Sequence, residues 1–174
     1  MEVIKTTYYN SPVGELILGS FQQQLCLCDW RYRRMRDSVD RRIQQHLSTS
    51  YEQQTCSIVQ ETIRQLNAYF SKGLTTFDLP LLLVGTDFQK SVWQELLKVS
   101  YGKTATYLGL SKQLNNEKAI RAVASANGAN AISIIVPCHR IIGSDGSLVG
   151  YAGGLPAKKQ LLRIEGRNEQ MELF

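Results

Sequence analysis

Two residues that could do chemistry together, Cys138 and His139, stand side by side after Pro137. A cysteine is a strong nucleophile only as the thiolate, so a reactive cysteine needs a base or a positive charge nearby. The simpler interpretation is that Cys138 is a small buried hydrophobic residue and that His139 fills space. The sequence around the pair has to decide between the two.

His139 is the obvious base for Cys138. Adjacent side chains of an extended chain point to opposite sides, so a direct hydrogen bond between the two requires a sharp turn of the backbone. A bridging water would remove this difficulty. The other ring nitrogen of His139 would need an acceptor, and Glu165 is a carboxylate that could fold back to supply it. Spacing along the sequence does not establish that contact.

An apolar, β-branched run must position this pair. Residues 131–136 predict a buried strand that ends at Pro137 and Cys138. Pro137 fixes its own φ and has no N–H to donate, which limits how the chain bends just before the thiol. We therefore expect Cys138 to be held rigidly.

The elements before this run form two groups. In the first, periodicity predicts strands at 3–9, 15–20 and 25–28 and helices from 36 to 47 and from Ile58 to a C-cap at Gly73. Strands followed by a helix indicate a small α/β domain. Residues 74–86 continue as a strand or linker.

The second group begins at Thr86 or Asp87, either of which could cap a helix. The apolar face of that helix is formed by Phe88, Val92, Leu96 and Leu97. Residues 104–114 and 117–126 predict two short helices joined by a polar turn at 115–116, the outline of a helix-turn-helix. This outline also occurs in many proteins that never contact DNA.

Composition indicates a soluble, cytoplasmic protein with a basic C-terminal half. The 174 residues carry a net charge of +5 with a pI of about 9.1. Residues 87–174 hold 11 Lys and Arg against 7 Asp and Glu (+4), whereas residues 1–86 hold 9 against 8 (+1). No apolar run is long enough to span a bilayer, and the N-terminus lacks an apolar signal core. Four cysteines favour reduced thiols over a disulfide framework.

The string Ile135-Val136-Pro137-Cys138-His139-Arg140-Ile141-Ile142 closely resembles the active-site motif of the O6-alkylguanine-DNA alkyltransferases, also called methylated-DNA–protein-cysteine methyltransferases. Further matches at the family spacing cover most of residues 87–166: Phe88-Gln89, Val92-Trp93, Tyr101-Gly102, Thr106-Tyr107, Arg121-Ala122-Val123, Asn130, Gly150-Tyr151-Ala152-Gly153-Gly154, Lys158 and Glu165-Gly166.

The resemblance implies a mixed α/β (α+β) protein. We expect a small N-terminal ribonuclease-H-like α/β domain at residues 1–80, a linker at 81–86, and a mostly helical, winged helix-turn-helix-like alkyltransferase domain at 87–174. Residues 1–86 match the family only in length and in the order of their elements, so the first domain is inferred from the family.

The family's activity would be the irreversible transfer of an alkyl group from guanine O6, in a base flipped out of duplex DNA, to Cys138. The resemblance implies three sets of site residues. Catalytic roles fall to Cys138, His139, Glu165 and Tyr107; DNA contacts to Arg121, Tyr107, Ala122 and Ala126; and the walls of the substrate pocket to Asn130, Ile141, Tyr151, Ala152 and Lys158. No cofactor is implied, and the partner is alkylated double-stranded DNA, bound by a monomer.

Within these sets, Arg121 would be the finger that enters the base stack, and Tyr107 would hydrogen-bond the flipped base at N3. The backbone N–H of Ala152 would donate to O6, and the carbonyls of Cys138 and Ile141 would accept from the exocyclic amine. The family often has serine at position 152, and the alanine keeps the backbone donor. The sequence leaves open the size of the alkyl group and any activity on O4-alkylthymine.

Other interpretations fit less of the sequence. A cysteine hydrolase would use the same Cys, His and acid but leaves the helix-turn-helix and Arg121 without a role. A damage-binding protein without transfer activity would lack Cys138. Cys26, Cys28, Cys56 and His46 could supply four zinc ligands by number, but their spacing fits no recognised zinc site, so we expect no metal. The arginines from Arg31 to Arg42 are expected to form a solvated face, because Asp29, Asp37 and Asp40 dilute their charge.

Overall fold

The computed structural model describes residues 1–166. Residues 167–174, which the sequence analysis assigns to the second domain, lie outside the described residues. The chain divides into two compact units, Met1–Gly85 and Thr86–Phe174. No helix among residues 1–166 is long and apolar enough to cross a membrane.

The first unit is built on a four-stranded sheet whose strands lie in the order β3-β2-β1-β4. The strands are β1 (Ile4–Ser11), β2 (Gly14–Phe21), β3 (Gln24–Trp30) and β4 (Tyr51–Gln53). β4 pairs in parallel with β1, and the other neighbouring strands are antiparallel. The predicted first three strands are confirmed.

Two helices complete this unit, α1 (Arg36–Leu47) and α2 (Ser57–Phe70). Both were expected, but the predicted end of α2 at Gly73 is wrong. The helix ends at Phe70 and Lys72 takes the left-handed conformation, with φ of 63°. The N–H of Gly73 then donates to the carbonyl of Ala68 at 2.8 Å. Lys72 therefore makes the left-handed turn that the sequence predicted at Gly73.

The charge pattern predicted that the arginines from Arg31 to Arg42 form a solvated face, but two of them bind a buried carboxylate instead. Asp29 is fully buried, and Arg33 and Arg36 donate to its carboxylate at 3.0 and 3.1 Å. A buried carboxylate is costly unless cations and hydrogen bonds match it. The prediction is wrong for Arg33 and Arg36 because β3 carries Asp29 into the interior.

Residues 86–166 of the second unit contain four α-helices and one short parallel pair of strands. The helices are α3 (Asp87–Leu96), α4 (Tyr107–Gln113), α5 (Ile120–Gly128) and α6 (Leu155–Ile164), and the strands are β5 (Ala105–Thr106) and β6 (Ile141–Ile142).

Thr86 is the cap of α3. Its hydroxyl accepts from the N–H of Gln89, whose side chain accepts from the N–H of Thr86, at 3.1 and 3.0 Å. The buried face of α3 contains Trp93, whose ring N–H donates to the carbonyl of Ala126 on α5 at 2.8 Å. Two residues predicted on the apolar face, Phe88 and Leu97, are instead 37% and 44% exposed.

The helix-turn-helix is α4 and α5. α4 begins at Tyr107, three residues later than predicted, because Thr106 is its cap and accepts from the N–H of Gly109 at 2.9 Å. Asn115 makes the expected turn in the left-handed region, with φ of 54°. A single 3₁₀ turn at Glu117–Ala119 then leads into α5.

Candidate active site

The segment before the thiol is a chain of turns, and the predicted strand at 131–136 is wrong. Ile134 has a left-handed φ of 72°, and the N–H of Val136 donates back to the carbonyl of Ile132 at 2.9 Å. Asn130 holds the segment from inside. Its Nδ2 donates to the carbonyl of Val136, and its Oδ1 accepts from the N–H of Ile132, both at 2.9 Å. The run is buried as expected, but the N–H groups of Ile132, Ile135 and Val136 donate to acceptors within residues 130–133.

Cys138 begins a 3₁₀ turn, Cys138–Arg140, that follows Pro137. Its N–H donates to the carbonyl of Val136 at 2.8 Å, and only 3% of the residue is exposed. The backbone therefore bends sharply between Cys138 and His139 instead of continuing as an extended chain.

His139 is fully buried and meets Glu165 at the end of α6. Nε2 of His139 lies 2.8 Å from Oε1 of Glu165, and both side chains are at most 1% exposed. Tyr101 ties down the end of α6, since its hydroxyl donates to the carbonyl of Ile164 at 3.1 Å. The contact that the sequence could only propose is therefore present.

Arg140, for which the sequence predicted no role, completes this cluster. Its Nε and Nη2 donate to the two carboxylate oxygens of Glu165, each at 2.9 Å. Its Nη1 donates to the carbonyl of Val99 at 2.6 Å. Arg140 stands inside the matched motif, which was the only signal for it in the sequence.

Electrostatics decide which nitrogen of His139 is available. Burial raises the pKa of Glu165, but the hydrogen bonds from His139 and Arg140 outweigh it and hold the pKa at about 2. Burial lowers the pKa of His139, and the bond to Glu165 opposes this only in part. A neutral His139 facing an ionised carboxylate carries its hydrogen on Nε2. Nδ1, which has no hydrogen-bond partner within residues 1–166, is then a free acceptor.

Lys158 is fully buried, and its ammonium links two segments of the backbone at the site. Its ammonium donates to the carbonyls of Ile141, Val149 and Gly150 at 2.6, 3.1 and 3.2 Å. Burial lowers the pKa of Lys158 to about 8, against the opposite effect of the Cys138 thiolate. The ammonium thus joins β6 to the segment before α6.

Tyr107 stands at the first position of α4. Its hydroxyl donates to the carbonyl of Val149 at 3.2 Å, and burial together with the charge of Cys138 raises its pKa. The ring of Tyr151 lies edge-on to the ring of His139, at a centroid distance of 6.5 Å. Ala152 is half-buried in the turn that precedes α6.

An open pocket of about 430 Å³ is lined by Tyr107, by Arg121 and Ala124 of α5, and by Val149. Arg121 and Ala122 are exposed on α5. Ala126 is 3% exposed and packs inward. Of the two alanines expected at a DNA surface, only Ala122 presents its side chain there.

The residues considered as zinc ligands do not meet. Cys26 and Cys28 are buried on β3, and burial raises the pKa of Cys26 to about 12. Within the described part of the chain, no group of three or more His, Cys, Asp or Glu side chains is arranged to hold a metal ion.

In comparisons with known proteins, both units of the chain match domains of the same family. Residues 4–83 match the family described as 6-O-methylguanine DNA methyltransferase, ribonuclease-like domain, and residues 87–167 match 6-O-methylguanine DNA methyltransferase, DNA binding domain. A methylated-DNA–protein-cysteine methyltransferase of Methanosarcina acetivorans is 40% identical over 158 residues, which is 91% of this chain and 96% of that protein.

Solved structures show the same likeness. The crystal structure of the Mycobacterium tuberculosis O6-methylguanine methyltransferase has a TM-score of 0.78 and 37% identity, covering 98% of this chain and 96% of that one. The same organism's OGT in complex with DNA has a TM-score of 0.77 and 38% identity, covering 91% and 90%.

Proposed function

Because the chain belongs to the 6-O-methylguanine DNA methyltransferase family, we propose that it repairs DNA by moving an alkyl group from guanine O6 to Sγ of its own Cys138. One observation carries this proposal: the buried Cys138 is followed by His139, whose Nε2 lies 2.8 Å from the carboxylate of Glu165. A histidine held in this way by a carboxylate suits thiol activation. The fold class and the family expected from the sequence are confirmed.

Thiol activation uses the free nitrogen of His139. The Cys138 proton passes through a bridging water to Nδ1, and the imidazolium that forms is stabilised by the ionised Glu165, 2.8 Å from Nε2. Arg140 keeps Glu165 ionised and oriented. The thiolate therefore forms inside a buried, preorganised network that reorganises little during the reaction.

In the transfer step, the S–C bond forms as the bond between the alkyl carbon and O6 breaks. Guanine leaves with the electron pair of that bond and takes up one proton, equivalent to the proton that the thiol lost. Tyr107, by donating to N3, and the N–H of Ala152, by donating to O6, stabilise the negative charge on the leaving base. The Tyr107 hydroxyl would exchange its present bond to Val149 for the base.

The pocket walls select guanine through the backbone. Carbonyls of Cys138 and Ile141 accept from its exocyclic amine, and Tyr151 forms a wall. The Ile141 carbonyl also accepts from Lys158 at 2.6 Å, so Lys158 fixes its direction. Asn130 fixes the turns that lead to Cys138.

DNA is the partner, and we propose that an alkylated duplex is bound by a monomer in the cytoplasm. An O6-alkyl group in stacked DNA is out of reach of a buried thiol, so the base must be extruded at a cost of a few kcal/mol. Arg121, exposed on α5 beside the open pocket, takes the vacated place in the stack. Ala122 allows close approach of α5 to the minor groove, and Ala126 supports α5 from the inside.

Intact-mass measurement tests the proposal directly. Mixing the protein with a duplex containing O6-methylguanine should add one methyl mass, on Cys138, without further turnover because the thioether is stable. Cys138→Ser should abolish the adduct. Cys56→Ser is the matched control, because Cys56 is only partly buried and lies in the first unit. An adduct on Cys56, or one that survives Cys138→Ser, would show that the nucleophile is wrongly assigned.

A further inference from the structure

A second pocket, of about 350 Å³, lies in the first unit between the start of β1, the β2–β3 turn and the first turn of α2. Its walls include Lys5, Ser20, Gln22 and Ser57. All of its lining residues belong to the first unit, and none of them is among the residues proposed for the transfer reaction.

α2 begins at this pocket without a side-chain cap. Cys56, the N-cap residue, is extended, and its side chain accepts no hydrogen bond from the first turn, which also lacks an acidic residue. The first N–H groups of a helix have no partner within the helix, and the dipole gives this end about half a positive charge. Ser57 and Ile58, the first two residues of α2, line the pocket.

Ser20 supplies an independent hydrogen-bonding group at the pocket wall. The residue is only 3% exposed, lines the pocket, and has no hydrogen-bond partner for its hydroxyl within residues 1–166. A serine hydroxyl can donate one hydrogen bond and accept two, and at a pocket wall these positions can face a ligand. The Ser20 hydroxyl is therefore available to a bound group.

Lys5 adds a full positive charge at the same place. It pairs with Ser20 across β1 and β2, so the two side chains project from the same face of the sheet. The Lys5 ammonium forms no salt bridge with a carboxylate of the described residues. Glu2 also lines the pocket, and its carboxylate would repel an anion.

We propose that this pocket binds a phosphate group, of either free phosphate or a DNA backbone. Ser20, Lys5 and the first turn of α2 provide donors from three elements, an arrangement that suits the several oxygens of a phosphate. Binding is independent of transfer at Cys138, so Cys138→Ala should leave it unchanged.

The test is an NMR titration of the full-length, ¹⁵N-labelled protein with inorganic phosphate at constant ionic strength. The amide signals of Ser57 and Ile58 should shift and saturate. Lys5→Gln should weaken binding at least tenfold, and Glu2→Gln should tighten it. Lys72→Gln is the matched control, because Lys72 is an exposed lysine after the opposite end of α2.

Shifts that never saturate, or equal losses in Lys5→Gln and Lys72→Gln, would overturn the proposal, since both indicate general charge attraction. Ser20→Ala should also weaken binding. If that variant fails to fold, Lys5→Gln and Glu2→Gln still decide, because their expected effects have opposite signs.

A short undamaged duplex distinguishes the two sources of phosphate. If the duplex shifts the same amides and Lys5→Gln weakens its binding, the pocket holds a backbone phosphate. If the duplex leaves these amides unchanged while inorganic phosphate shifts them, the pocket holds the free ion.

Discussion

Glu165→Gln removes the charge that His139 and Arg140 share, and its effect on stability can be worked out from the structure. Glu165 has its pKa lowered from the ordinary 4.5 to about 2. A difference of one pKa unit corresponds to about 1.4 kcal/mol, so the ionised carboxylate stabilises the fold by about 3 kcal/mol at pH 7. The residue is only 4% exposed, so solvent screens this interaction little.

The sign of the pH dependence follows from the direction of the shift. A carboxyl whose pKa is lower in the folded state stabilises the protein fully above its unfolded pKa, here 4.5. That stability is lost as the pH falls towards about 2, where the folded state also takes up the proton. Glu165→Gln should therefore lower the free energy of unfolding by about 3 kcal/mol at pH 7, and by much less near pH 2.

Urea denaturation of the second unit measures this difference. Trp93 fluorescence reports on that unit when Trp30, in the first unit, is replaced by Phe in all proteins compared. Glu95→Gln is the matched control, because Glu95 pairs with the exposed Lys98 and should change stability by no more than about 0.5 kcal/mol. If the wild type and Glu165→Gln lose the same stability between pH 5 and pH 2, Glu165 is not the stabilising charge and the reasoning fails.

Three further predictions concern the reaction and its support. His139→Ala should slow iodoacetamide labelling of Cys138 at neutral pH, with rescue at higher pH where hydroxide forms the thiolate; superimposed pH profiles would show that His139 does not take the proton. Arg121→Ala should lower repair of duplex DNA at least tenfold, while reaction with free O6-benzylguanine, provided that the pocket admits it, changes less than about twofold; equal losses would contradict the finger role. Asn130→Ala should lower the free energy of unfolding by about 1 to 3 kcal/mol, because it leaves the buried N–H of Ile132 without its partner and the Val136 carbonyl with only the N–H of Cys138; a loss below about 0.5 kcal/mol in urea denaturation would mean that water replaces the side chain.

Local pattern was enough for much of the fold. The strand-like runs of β1 to β3, the helical period of α2 and the cap before α3 depend on residues a few positions apart, and each gave the correct element. The motif at Cys138 is equally local, so the sequence alone identified the family and the nucleophile to test. These features are readable because neighbours in sequence remain neighbours in space.

Only the tertiary structure decided how buried polar groups find partners. Residues 131–136 have the composition of a strand, yet they form a series of turns in which Asn130 bonds to the N–H of Ile132 and the carbonyl of Val136. Asp29 draws Arg33 and Arg36 inward, against the charge pattern. Glu165 reaches His139 from 26 residues away. A buried charge or N–H must be matched by whatever the fold brings near it, and no periodicity along the chain encodes that partner.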